Sequence, residues 1–324
     1  MKAAIVTAPG TSPVYGDFPE PAPRDGYTIV RVSASALSNL TRGRASGSHY
    51  SAENIFPAVP GTDGVGRNSH GERVYFAMPE PPFGAMAEQS LVESRLCVPV
   101  PDHLEDVTAA ALANPGMSVF AALVSRARFE PGQSVLINGA TGTAGRLAVQ
   151  IAKYLGAGRI VATGRNPAEL AQLTALGADA LLPFPPDADH PAGLRDYEQA
   201  LIEQVRQGID IVLDYLWGAT ARAIIAAVAK GQQDPVPVRF VQIGSAAGQD
   251  SLELPSAALR SSSIVLMGSG LKSVSMQNLL QAVASTFAAA SPAKLSIDTR
   301  TLPLSEVETA WSAPGKPRIV FTLP

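Results

Sequence analysis

Three glycines spaced three apart, between an apolar strand and an amphipathic helix, restrict this chain more than any other feature in it. Ser134-Val135-Leu136-Ile137-Asn138 has the apolar run of a strand buried on both faces. Gly139-Ala140-Thr141-Gly142-Thr143-Ala144-Gly145 follows directly, and Leu147, Ala148, Ile151, Ala152 and Leu155 then recur at helical spacing. Glycines let a chain turn tightly and let its backbone approach a pyrophosphate, while the N-terminus of the next helix offers free N–H groups and a partial positive charge. Gly142 and Gly145 stand where approach to phosphate and helix–strand packing need them. The spacing departs from Gly-x-Gly-x-x-Gly because Ala140 fills the usual first position. A second strand, Arg159–Thr163, sets the loop apart from an ordinary glycine-rich turn.

Further strands are expected at Ala180–Pro183, Asp210–Leu213, Arg239–Ile243 and Ile264–Met267, with helices at Ala168–Leu176, Arg195–Arg206 and Thr220–Ala229. Helices of that length suit right-handed crossovers, so six strands alternate with helices as in a doubly wound α/β dinucleotide fold with a six-stranded parallel sheet. The N-terminal third reads as all-β, with short runs such as Tyr27–Val32 and Glu72–Phe76 separated by Pro/Gly stretches. After the sixth strand the chain returns to short, proline-punctuated segments ending in Arg318-Ile319-Val320-Phe321. A chain of 324 residues exceeds what one core usually supports. The reading is a β-rich domain built from both ends of the chain, residues 1–112 and 273–324, with the dinucleotide domain, residues 113–272, inserted between them.

The second strand of the inserted domain ends in Thr163-Gly164-Arg165-Asn166, and no carboxylate follows until Glu169. An NAD site places Asp or Glu here to accept from the ribose hydroxyls. A guanidinium at this point instead matches a 2′-phosphate with two parallel hydrogen bonds. The expected cofactor is therefore NADPH, held by Ala140, Thr141, Gly142, Thr143, Ala144 and Gly145 at the pyrophosphate and by Gly164, Arg165 and Asn166 at the ribose.

Hydrophobic residues make up 46% of the chain and charged residues 16%, as in a well-buried globular protein. A net charge of −3 without a Lys/Arg cluster argues against nucleic acid or an anionic membrane as the main partner. The longest apolar candidate for a membrane span, around Ala219–Ala229, is broken by Arg222. Met1–Val6 reads as a strand rather than a leader. The lone Cys97 excludes an internal disulfide and a multi-cysteine zinc lobe, and is compatible with a cytoplasmic location.

Met1-Lys2-Ala3, Ala36-Leu37-Ser38-Asn39, Phe56–Gly66, Ala109–Leu123 and Val135–Gly156 follow one another as in medium-chain dehydrogenase/reductases, and the chain resembles their zinc-free quinone oxidoreductase branch. That resemblance implies a GroES-like β domain beside the Rossmann domain, and a homodimer, for which the apolar strand at Ile264–Met267 offers a sheet edge. Zinc-dependent members carry Cys where Ser38 stands, His-Glu at Thr62-Asp63, and Cys at Asn114. One carboxylate, Asp63, cannot hold a catalytic zinc, and His49, His70, His103 and His190 lack metal-ligand spacing, so no metal is expected. Without metal, a nicotinamide hydride suits a quinone or an α,β-unsaturated carbonyl, which delocalises the incoming charge.

By the same resemblance, Tyr50 stands where the family places a tyrosine able to donate to the acceptor oxygen. Ser38, Asn39 and Ser118 belong to the nicotinamide wall, and Gly244 and Ser245 end the fifth strand at the ligand-binding edge. Asp214-Tyr215 ends the fourth strand, as ligand residues or as a cap. A short-chain reductase is disfavoured, because its glycine motif lies near the N-terminus and its Tyr-x-x-x-Lys is missing here. A non-catalytic NADPH- or lipid-binding protein on the same fold stays open as the alternative.

Overall fold

The computed structural model describes residues 1–185, 191–233 and 235–324. They fall into two units, one comprising residues 1–117, 283–292 and 296–324, the other residues 118–282 and 293–295.

In the first unit, β1 (Lys2–Ile5) and β2 (Val14–Asp17) form an antiparallel ribbon. β3 (Tyr27–Ala36) is its long central strand, with Val30, Val32 and Ala34 buried at alternate positions as a one-faced strand requires. After β3 comes a helix, α1 (Asn39–Ala45), then β4 (Asp63–Arg67), β5 (Arg73–Ala77), β6 (Gln89–Glu93) and β7 (Cys97–Pro99). The N-terminal third is thus not all-β. Ser38 nucleates α1 by accepting a hydrogen bond from the Thr41 N–H, an N-cap that a strand-biased reading overlooks.

α2 (Asp106–Phe120) continues into a π-helical turn at Ala121–Arg126. The longest apolar helix is therefore here and not at Ala219–Ala229. Asp106–Arg126 is long and apolar enough to cross a membrane, but 67% of its most apolar window is buried inside the protein, as in a core helix. Pro115 lies inside α2 without ending it.

The second unit carries six parallel strands: β8 (Ser134–Asn138), β9 (Arg159–Gly164), β10 (Ala180–Pro183), β11 (Ile211–Asp214), β12 (Val238–Gln242) and β13 (Ile264–Gly268). Their spatial order, β10-β9-β8-β11-β12-β13, is the doubly wound order with its switch point between β8 and β11. Between them run α3 (Thr143–Tyr154), α4 (Pro167–Ala171), α5 (Leu173–Leu176), α6 (Pro191–Arg206), α7 (Gly218–Gly231) and α8 (Ser256–Arg260). The single helix expected at Ala168–Leu176 is therefore two short ones. The α6–α7 side of the sheet holds a core of Leu136, Val161, Leu201, Val212, Ile224 and Phe240, among others.

A fifteen-residue helix, α9 (Met276–Ala290), stands where only short segments were expected. Leu279, Val283 and Phe287 are buried four residues apart, which is helical periodicity hidden in a run of alanines and serines. β14 (Thr299–Pro303), α10 (Val307–Ala310) and β15 (Arg318–Thr322) follow. β15 pairs with β14 on one side and antiparallel with β3 on the other, completing the seven-stranded sheet of the first unit.

Candidate functional site

In the second unit the glycine loop leaves β8 and enters α3 at the carboxyl edge of the sheet. Gly139 has φ +86°, a left-handed conformation natural to glycine. A Cβ on Gly145 would lie 2.4 Å from the Gly139 carbonyl oxygen, so the helix packs on the loop only because residue 145 has no side chain. Among the described residues no side chain caps α3, whose N-cap is Gly142, and its first turn holds no acidic residue. The amide end of a twelve-residue helix is thus left for an anion.

Under this loop lies a buried polar cluster. The Asn138 amide donates to Asp214 Oδ1 (2.8 Å) and to Thr220 Oγ1 (3.0 Å), while Asn138 Oδ1 accepts from the Thr163 hydroxyl (2.9 Å). Thr163 Oγ1 in turn accepts from the Gly139 N–H (3.2 Å), which ties the loop to the ends of β8, β9 and β11. Asp214 also accepts from the backbone N–H groups of Leu216 and Trp217, acting as a cap for the turn after β11. Trp217 in that turn has φ +62°, a conformation that favours glycine. Burial pushes the Asp214 carboxyl up to about 6, against the opposing pull of its bonds to Asn138, Trp217 and Leu216.

At the tip of β9, Gly164 is buried while Arg165 and Asn166 are exposed. Among the described residues Arg165 forms no ion pair. Asn166 Oδ1 is engaged as the N-cap of α4, accepting from Ala168 N (2.9 Å) and Glu169 N (3.3 Å). Ala140 is buried; Thr141, Gly142, Thr143, Ala144 and Ser118 are half-buried. Gly244 donates its N–H to the Asp214 carbonyl (3.2 Å), and Ser245 beyond it is exposed.

In the first unit, Ser38, Thr41, Thr62 and Asp63 form a continuous chain of oxygens. Ser38 Oγ lies 3.0 Å from Thr41 Oγ1, and Thr41 Oγ1 lies 3.4 Å from Thr62 Oγ1. The Thr62 hydroxyl meets Asp63 Oδ1 at 2.8 Å, and Tyr75 donates its hydroxyl to Asp63 Oδ2 at 3.3 Å. All five residues are buried. Burial raises the Asp63 carboxyl above its ordinary value, opposed by the Thr62 hydroxyl, the Arg318 charge and the Tyr75 hydroxyl. Thr41 and Thr62 also stand in the wall of a cavity of about 90 Å³, with Arg44, Glu53, Phe56 and Met78 among the other lining residues.

Tyr50 is 62% exposed, its ring tilted 32° to that of His49 with centroids 4.2 Å apart; it does not line this cavity. Asn39 is exposed at the start of α1, and Asn114 is half-buried in α2. His49 is half-buried beside Ser51, and His70 and His103 are exposed. His190 lies outside the described residues. Among the described residues no three His, Cys, Asp or Glu side chains gather as a metal site would need. Two groupings escaped the sequence reading. Asn138 and Thr163 were visible only as polar ends of apolar strands, and the hydroxyl chain had no local signal.

Comparison with known proteins adds four findings. A family model described as zinc-binding dehydrogenase matches residues 144–285, a stretch that excludes Ser38, Thr62 and Asn114. A probable NADPH-dependent quinone reductase of Emericella nidulans is 27% identical over 96% of each chain. An NADPH-dependent alkenal/one oxidoreductase of Arabidopsis thaliana is 27% identical over 60% of this chain and 51% of its own. Among solved structures, the quinone oxidoreductase of Thermus thermophilus, also solved as its complex with NADPH, superposes over 100% of both chains with a TM-score of 0.80 at 26% identity.

Proposed function

We propose that this chain, which belongs to the quinone oxidoreductase-like medium-chain dehydrogenase/reductases, reduces a quinone or an α,β-unsaturated carbonyl with NADPH and without a metal. The observation that carries the reading is the pairing of a carboxylate-free start to α3 with the exposed Arg165 at the tip of β9, which forms no ion pair among the described residues. Bound NADPH supplies the hydride. The first-turn N–H groups of α3, with residues 140–145, hold the pyrophosphate, and Gly164 and Arg165 hold the ribose phosphate. Asn166 is assigned to the ribose phosphate with them, its side-chain oxygen shaping the turn as the N-cap of α4. Ser38, Asn39, Ser118, Gly244 and Ser245 are assigned to the nicotinamide wall, and Tyr50 to the acceptor oxygen.

The residues at the zinc-ligand positions do not fit zinc. Ser38 and Thr62 offer neutral hydroxyls already engaged with their neighbours, and both oxygens of the single carboxylate, Asp63, accept from hydroxyls. We further assign residues 1–112 with 273–324 to the catalytic domain, residues 113–272 to the NADPH domain, and the protein to the cytoplasm. β13 is an edge strand with Val265 and Leu266 exposed at 44% and 39%, and we assign it to a homodimer interface. A monomeric mass by sedimentation at micromolar concentration would remove that assignment.

Steady-state NADPH oxidation with a panel of quinones and enones, with and without a chelator, tests the activity. Turnover that survives chelation supports the reading; NADPH binding without turnover on any acceptor makes the protein a binder instead. Arg165→Ala tests the site. Loss of a charge-assisted pair is worth roughly 1.5–3 kcal/mol, so NADPH should bind about ten- to a hundred-fold more weakly while NADH is nearly unchanged. Equal, small losses for both cofactors would return Arg165 to the role of a solvated turn residue.

A further inference from the structure

Ser38, Thr62 and Asp63, which stand where the resemblance places zinc ligands, are joined through Thr41 into one hydrogen-bonded row. Ser38 Oγ, Thr41 Oγ1, Thr62 Oγ1 and Asp63 Oδ1 succeed one another at 3.0, 3.4 and 2.8 Å. Each hydroxyl both donates and accepts, so the row has two senses of polarisation. With Asp63 ionised, Thr62 donates to the carboxylate, Thr41 to Thr62 and Ser38 to Thr41. With Asp63 protonated, every bond turns over and the Ser38 hydrogen points away from the row. The Ser38 oxygen is fixed in either state by the Thr41 N–H at 3.0 Å, so its hydrogen can swing while the atom stays in place.

We propose that Asp63, Thr62, Thr41 and Ser38 form a proton relay that delivers to the acceptor the proton it takes up with the hydride. The proposal rests on the function inferred above, in which Ser38 belongs to the nicotinamide wall; there Tyr50 orients the acceptor oxygen by a hydrogen bond and Ser38 supplies the proton. The hydride adds to the β-carbon of an enone, and the electron pair of the double bond moves onto the carbonyl oxygen. Ser38 gives its hydroxyl proton to that oxygen and recovers one from Thr41. Thr41 recovers one from Thr62, and Thr62 takes the carboxyl proton of Asp63. Asp63 is left as carboxylate and is reprotonated from solvent between turnovers. A quinone takes its hydride and proton by the same route.

Two further features suit this role and one opposes it. Burial favours the neutral carboxyl of Asp63, so the reservoir holds its proton more readily than a surface aspartate. The groups that face it, Tyr75 and Arg318, are themselves buried, and Arg318 moderates the effect of burial. The cavity walled in part by Thr41 and Thr62, about 90 Å³, has room for several water molecules through which the chain can recharge. Ser38 is the catalytic residue in this scheme; Thr41, Thr62 and Asp63 act through it.

Thr41→Val and Thr62→Val interrupt the row while keeping its shape. In the whole protein each should lower kcat with a quinone or enone by about ten- to a hundred-fold. Each should also raise the solvent deuterium isotope effect on kcat and leave NADPH affinity unchanged, and Thr41→Ser should restore the rate. A second readout needs no turnover. The infrared difference between the cofactor-free wild type and Asp63→Asn, followed from acid upward, should contain a protonated carboxyl band that persists to higher pH than that of a surface aspartate and is displaced in Thr62→Val. An active wild type whose rate and isotope effect are copied by both valine variants would overturn the relay alone, as would a carboxyl band that persists no higher than that of a surface aspartate. A wild type inactive with every acceptor would overturn the parent reading and the relay with it.

Discussion

Two buried polar clusters, one in each unit, show opposite ways of housing polar atoms away from water. Around Asn138 the network is closed. The Asn138 amide serves two acceptors, its carbonyl one donor, and Asp214 takes three different donors, two of them from backbone. Around Thr41 the network is a row of interchangeable hydroxyls with a carboxyl at one end and Ser38 at the other. A closed cluster fixes geometry, because each hydrogen has one place to go. A row of hydroxyls fixes atoms but leaves the hydrogens two arrangements. The first suits a loop that must be preorganised for an anion, the second a site that must move a proton.

The contrast predicts unequal losses when each cluster is cut. Asn138→Leu leaves Asp214 short of a donor and Thr163 without an acceptor inside the sheet, and should lower unfolding free energy in urea by about 3–5 kcal/mol. Thr62→Val in the open row should lower it by only about 1–2 kcal/mol. Equal losses would erase the distinction.

A somewhat smaller effect concerns pH. The folded-state value of Asp214, about 6, lies above its ordinary 3.8, so the folded state binds the proton more tightly than the unfolded chain. Its contribution to stability is therefore full below pH 4, declines as pH rises to 6, and is flat beyond. The stability of wild type minus that of Asp214→Asn should fall by about 3 kcal/mol across that window. A difference that rises with pH would mean that the cluster stabilises the carboxylate more than burial penalises it.

The smallest stability effect belongs to Gly142→Ala. A Cβ there meets nothing closer than the Gly139 oxygen at 3.4 Å, and the backbone has φ −69°, so unfolding free energy should move by less than about 0.5 kcal/mol. NADPH affinity, measured by titration, should nevertheless drop if residue 142 is glycine to admit a phosphate. An unchanged affinity would leave Gly145, not Gly142, as the glycine that matters.

What could be read in the sequence follows from how local each signal is. The strand, glycine loop and α3 lie within some twenty consecutive residues, with periodicities of their own. The order of the six parallel strands follows from such local units. α9 was hidden because alanine and serine mask its Leu279, Val283 and Phe287 stripe, and α1 because its N-cap, Ser38, follows a strand directly. The zinc positions were legible one at a time, yet their connection was not. It arises because antiparallel pairing of β4 with β5 sets Val65 opposite Tyr75, bringing the Tyr75 hydroxyl to Asp63, while the turn of α1 brings Thr41 over Ser38. Arg165 is exposed at the tip of β9, while the Asn166 side chain has a use as a cap that no local sequence signal announced.

The pairing of β15 with β3 has a consequence for synthesis. Val320 lies opposite Ala36, with the entire parallel-sheet unit between them in the chain. On a ribosome the long central strand of the first sheet emerges before the parallel-sheet unit and stays without this neighbour until that unit has been translated, whereas the parallel sheet can assemble from contiguous sequence in the meantime. A nascent chain halted before Arg318 should therefore have a protease-resistant parallel-sheet unit and a first unit that is still open to cleavage.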